Sequence, residues 1–183
     1  MNIATIKKND IANGPGVRVS VFVSGCRHAC PGCFNREAWD FDFGVPYTTV
    51  IEAEVLEALA PPFVEGLTLL GGEPFEPENR EGLAALCRAV RAAYPDKSIW
   101  CFSGWTFEEL LAMSPAGEPL PLLAAIDVLV DGRFQAAQKS PALLFRGSAN
   151  QRILSVPDSL AAAAPVWMPG RWERTMGSGE MEL

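Results

Sequence analysis

One α/β domain built on a mostly parallel sheet is what this 183-residue sequence predicts, and three observations predict it. Short β-branched runs alternate along the chain with helical patterns, an order that builds βαβ units because parallel neighbours need a crossover. Glycine-rich polar groups follow four of those runs, at the carboxyl ends where open α/β sheets place their ligands. The length is near that of one domain, and 49% hydrophobic with 20% charged residues suits a globular chain with a sizeable core.

Taken in order, residues 17–24 read VRVSVFVS between the Gly14-Pro15-Gly16 turn and Gly25, and predict the first strand. A stretch rich in Ala, Leu and Glu over residues 49–60 predicts a helix stopped by Pro61-Pro62. Residues 67–70 form a short apolar strand ended by Gly71-Gly72. Within residues 77–94, Leu83, Leu86, Val90 and Ala93 recur at spacings of three and four, one face of a helix that Pro95 closes. Residues 98–102 predict a third strand, 107–113 a short helix, 126–130 a fourth strand before Asp131-Gly132, and 153–156 a fifth. The loops after the first four strands, at 26–33, 71–74, 103–104 and 131–132, are expected to converge on one site. Beyond Pro157 the period is lost, so residues 1–156 are expected to form the domain and residues 157–183 a loosely ordered C-terminal extension.

A net charge of −7 argues against nucleic acid as a partner, since phosphate-neutralising proteins carry a basic excess. No apolar run approaches the ~20 residues of a membrane span, and no apolar segment follows Lys7 and Lys8 as a secretory signal would need, so a cytoplasmic address is expected. Five cysteines in such a chain are an odd number in a compartment that keeps thiols reduced, which favours metal or redox chemistry over disulfides. Cys87 and Cys101 stand alone in apolar surroundings and read as core residues.

The other three form Cys26-x3-Cys30-x2-Cys33, with Pro31-Gly32 supplying the bend. Three thiolates on one tight loop can take three corners of an iron-sulfur cubane, leaving one iron free for a substrate. A structural zinc site with His28 as fourth ligand is the alternative, and with it a non-enzymatic interaction module. Spacing favours the cluster, because His28 lies only two residues from both Cys26 and Cys30. As a loop residue with an ordinary hydrogen bond, His28 needs no metal at all.

This loop, followed by Phe34, resembles the signature of the radical S-adenosylmethionine superfamily, and Gly71-Gly72-Glu73-Pro74 resembles its second motif. The stretches from Asn13 to Asn35, Ser103-Gly104-Trp105, Asp131-Gly132-Arg133-Phe134 and Phe145 to Arg152 are similar, more narrowly, to the activating proteins of anaerobic ribonucleotide reductase. The resemblance implies a partial (β/α) barrel of the radical S-adenosylmethionine type. It implies one [4Fe-4S] cluster on Cys26, Cys30 and Cys33, with S-adenosyl-L-methionine bound near Gly32, Cys33, Phe34, Gly71, Gly72 and Glu73. It implies an activase that generates a glycyl radical on the large subunit of the reductase, fed by an external one-electron donor such as flavodoxin or ferredoxin. An activase of another glycyl-radical enzyme, or a small radical S-adenosylmethionine enzyme acting on a metabolite, shares the same motifs. A plain electron carrier would want a fourth nearby cysteine. Asp131 and Asn150-Gln151-Arg152 match the family's pattern without a defined role, and loop backbone is what such side chains commonly satisfy.

Overall fold

The computed structural model describes residues 1–115 and 117–170, and within them seven strands share one sheet. The strands β1 (Asn2–Asp10), β2 (Val17–Val23), β3 (Val45–Pro46), β4 (Val64–Gly71), β5 (Ser98–Phe102), β6 (Val128–Asp131) and β7 (Arg152–Ser155) lie in the order β3-β1-β2-β4-β5-β6-β7. Helices α1 (Thr49–Leu59), α2 (Pro77–Ala93), α3 (Phe107–Ala112) and α4 (Pro121–Ala125) occupy the connections, and α5 (Val156–Ala162) follows the last strand.

Connection length sets the pairing. From β2 through β4 and β5 to β6 the neighbours are parallel, and every crossover between them carries a helix, as parallel pairing requires. β1 and β2 are separated only by residues 11–16 and pair antiparallel, as do β1 with β3 and β6 with β7. The class is therefore α/β as the sequence predicts, but the sheet is mixed and open, parallel in the centre and antiparallel towards its edges at β3 and β7.

Side-chain alternation gives this sheet two unlike faces. Val19, Val21, Leu67, Leu69, Ile99, Leu129 and Leu154 point into the main core, where they meet Val55 and Leu59 of α1, Leu83 and Leu86 of α2, and Leu122 and Leu123 of α4. The alternate residues Trp100, Val128, Val130 and Ile153 face the other way and pack with Phe102, Phe145 and Met168. On that second face Arg18 is fully buried. Its guanidinium donates to Thr68 Oγ1 (2.7 Å), Ser98 Oγ (3.0 Å) and the carbonyls of Leu67 and Ser98 (2.7 and 2.9 Å), and burial lowers its pKa to about 10.

β1, β3, α4 and α5 add to the predicted elements. Lys7, Lys8, Asn9 and Asp10 make the second part of β1 read as polar, and α4 and α5 are too short for a helical period to emerge. Past α5 the chain returns to β7: Ser155 N–H donates to Val166 O (2.9 Å) and Met168 N–H to Ile153 O (2.8 Å). Residues 171–183 of the expected extension lie outside the described residues. Among the described residues no helix is long and apolar enough to cross a membrane.

Candidate functional site

The chain leaves β2 through Ser24 and Gly25, and backbone bonds from Gly25 N–H to Ala38 O (2.8 Å) and from Cys26 N–H to Trp39 O (3.1 Å) lead it into the cysteine loop. Gly25 has φ +92°, and a Cβ there would meet the Phe41 ring at 2.2 Å, so only glycine fits. Cys33 N–H closes a turn onto Cys30 O (3.1 Å), with Gly32 at φ +78°, and Asn35 N–H reaches Cys33 Sγ at 3.4 Å. Cys26, Cys30 and Cys33 are all partly exposed and line one cleft of about 370 Å³. Gly71, Gly72, Glu73, Ser103, Gly104 and Gly132 line it too, so the four loops do converge.

Burial raises the Cys26 thiol to about 11, against the opposing pull of the His28 and Ala29 backbone N–H groups, and it raises Cys30 against the Phe134 N–H. Among the described residues no three His, Cys, Asp or Glu are gathered closely enough to hold a single metal ion. Cys87 and Cys101 are buried in the main core.

The glycine turn is held against the cysteine loop. Gly72 N–H donates to Val23 O (2.7 Å) and Glu73 N–H to Gly25 O (2.8 Å), and a Cβ on Gly72 would stand 2.4 Å from the Gly25 oxygen. Glu73 is 1% exposed, and its carboxylate accepts from four donors: Phe75 N–H (2.9 Å), Ser103 Oγ (2.8 Å), His28 Nε2 (3.0 Å) and Gly104 N–H (2.7 Å). Both carboxylate oxygens are thus engaged by the protein itself, each with two donors. Phe34 is 87% exposed at the cleft.

His28 has both ring nitrogens committed. Arg133 Nε donates to Nδ1 (3.1 Å), which leaves Nε2–H to donate to Glu73. A Cys3His metal site would need one of these nitrogens, so His28 is no fourth ligand in this arrangement.

Asp131 accepts from Phe107 N–H at the start of α3 (2.8 Å) and from Arg152 Nε (2.9 Å). Gln151 Oε1 accepts from Gly147 and Ser148 N–H (2.7 and 3.1 Å) while its Nε2 donates to Gly132 O (2.9 Å), and Asn150 donates to Arg133 O (2.9 Å). These residues shape the 132–151 loop, which brings Phe134, Phe145 and Arg146 to the cleft wall. Sequence reasoning missed those three; their only signal is membership of the stretches that carry the family resemblance.

A family model described as 4Fe-4S single cluster domain matches residues 12–154. The chain is similar to the anaerobic ribonucleoside-triphosphate reductase-activating protein of Pasteurella multocida (strain Pm70), with 42% identity over 155 residues, 84% of this chain and 96% of that protein. The protein of the same name from Enterobacteria phage T4 is 38% identical over 160 residues, 87% of this chain and 97% of the phage protein. That from Escherichia coli (strain K12) is 40% identical over 144 residues, covering 78% and 90% of the two chains.

Proposed function

Because the chain belongs to the family of anaerobic ribonucleoside-triphosphate reductase-activating proteins, we propose that it is a radical S-adenosylmethionine activase that generates a glycyl radical on the large subunit of anaerobic ribonucleotide reductase. The observation that carries this reading is that Cys26, Cys30 and Cys33 line the same cleft as the Gly71-Gly72 turn.

The donor set fits a cubane. Three thiols stand on one loop, and the two other cysteines are buried in the main core, so one iron is left without a protein thiolate. Asn35 Nδ2, beside Cys33, is buried without a hydrogen-bond partner among the described residues, which suits a site completed by a bound group. When bound, a [4Fe-4S] cluster supplies the electron that breaks the sulfonium carbon-sulfur bond of S-adenosylmethionine, giving methionine and a 5'-deoxyadenosyl radical.

This chain's own part is placement. A cleft of about 370 Å³ falls in the range of small-molecule sites. Gly32, Cys33, Gly71 and Gly72 offer backbone to the cofactor, Leu70, Phe102 and Phe145 give the cleft an apolar wall that excludes water, and Phe34 offers an exposed ring for adenine. Glu73 acts one step back, by holding the cysteine loop against the strand ends. Helices on one face of the sheet and the cleft at the strand ends support reading the open sheet as a partial (β/α) barrel. The electron would come from an external cytoplasmic donor such as flavodoxin or ferredoxin.

The test mixes the anaerobically reconstituted protein, a reductant and S-adenosylmethionine with the anaerobic reductase and records the electron paramagnetic resonance spectrum. A glycyl doublet is expected, together with 5'-deoxyadenosine. Deoxyadenosine without the doublet would keep the chemistry and remove the partner; stoichiometric zinc with no cleavage would remove the enzymatic reading.

A further inference from the structure

His28 lies midway between Cys26 and Cys30, and its side chain is only 5% exposed although the loop around it is not buried. Nε2 donates to Glu73 Oε2 (3.0 Å), Nδ1 accepts from Arg133 Nε (3.1 Å), and the ring meets Trp105 edge-on at 4.6 Å. The ring fits because residue 104 is glycine: a Cβ there would stand 2.4 Å from it. Glu73 is immobilised in turn by Phe75, Ser103 and Gly104. One side chain therefore ties the loop after β2 to the ends of β4, β5 and β6.

This tie has a local consequence. Ala29, the next residue, has φ +48°, in the left-handed region that disfavours a residue with a Cβ. A left-handed residue in such a turn gathers successive backbone N–H groups into the kind of concavity that receives negative charge at iron-sulfur sites, and the N–H groups of His28 and Ala29 favour the Cys26 thiolate against the stronger effect of burial. The bond to Arg133 likewise holds the residue before Phe134, whose N–H favours the Cys30 thiolate against the stronger effect of burial. Hydrogen bonds to the sulfurs are among the factors that set a cluster's reduction potential, because they favour the more negative reduced state.

We propose that His28 is a positioning residue that fixes the cysteine loop and, through the amides it aims at Cys26 and Cys30, raises the reduction potential of the cluster. The role is geometric and needs no titration of the ring. It rests on the iron-sulfur reading of Cys26, Cys30 and Cys33.

The experiment compares reconstituted wild type with His28→Leu and His28→Gln. It measures iron content, the midpoint potential by titration, and the spectrum of the reduced cluster. His28→Leu is expected to bind iron at the wild-type level with a tenfold less favourable reduction equilibrium, a shift of about 59 mV to more negative potential for one electron. His28→Gln, whose amide can still donate to Glu73, is expected to recover at least half of that shift. Arg133→Lys keeps the positive charge near Cys30 but loses the Nε donor to Nδ1, and it carries the same test should His28→Leu load poorly, with a smaller negative shift expected. Unchanged potential and spectrum in the loaded variants, with only a lower unfolding temperature, would overturn the positioning role. A wild type that holds no cluster would remove the iron-sulfur reading as well, so the two failures are distinct.

Discussion

Glu73 gathers four donors from three parts of the chain: Phe75 in its own turn, His28 in the cysteine loop, and Ser103 with Gly104 after β5. A carboxylate serves this purpose because it is an acceptor on both oxygens. Glu73→Gln turns one oxygen into an NH2 group that faces two donors, and so leaves them without an acceptor in a buried place. The expected cost is about 3 kcal/mol, read as a lower midpoint of denaturant unfolding with an unchanged slope. The Gly71-Gly72-Glu73 motif was legible in the sequence, but the job of its carboxylate was not. Three of its four partners lie 30 or more residues away, and nothing in a local pattern says which strand ends will meet.

At the scale of the element, α3 is six residues long and depends on its start. Thr106 Oγ1 accepts from Glu109 N–H while Glu109 Oε2 accepts from Thr106 N–H (2.8 Å), and Asp131 takes the Phe107 N–H. Thr106→Ala removes half of this reciprocal cap and is expected to cost about 1 kcal/mol. In a domain of this size that lowers the melting temperature by about 2–4 °C in a thermal scan. A Thr-x-x-Glu pattern is local, so a helix start of this kind can be read from a sequence as it stands. Longer elements such as α2 also followed from their period, whereas β1 did not, since its lysines hide the alternation that its buried Ile3 begins.

For the whole molecule, the chain after β7 belongs to the packing of the sheet. Val156 is buried, Leu160 and Trp167 pack against the main core, and residues 166–168 hydrogen-bond along β7. A chain ending at Val156 strips that cover from β7 and should lose about 3 kcal/mol or more, from the burial of Leu160 and Trp167 alone. Its melting temperature should fall by about 6–12 °C; an unchanged thermal scan would mean that the segment is a loose tail. By itself the sequence determined the order of β2, β4, β5, β6 and β7 and of α1, α2 and α3, the cysteine loop and the four strand ends that carry polar groups, because periodicity and turn residues are local properties. Only the tertiary structure decided that the sheet is open with antiparallel edges, and that His28 serves as a tie bonded to Glu73 and Arg133. The physical reason is that strand pairing and buried hydrogen bonds join residues far apart in the chain, and their partners exist only once the strands have been brought side by side.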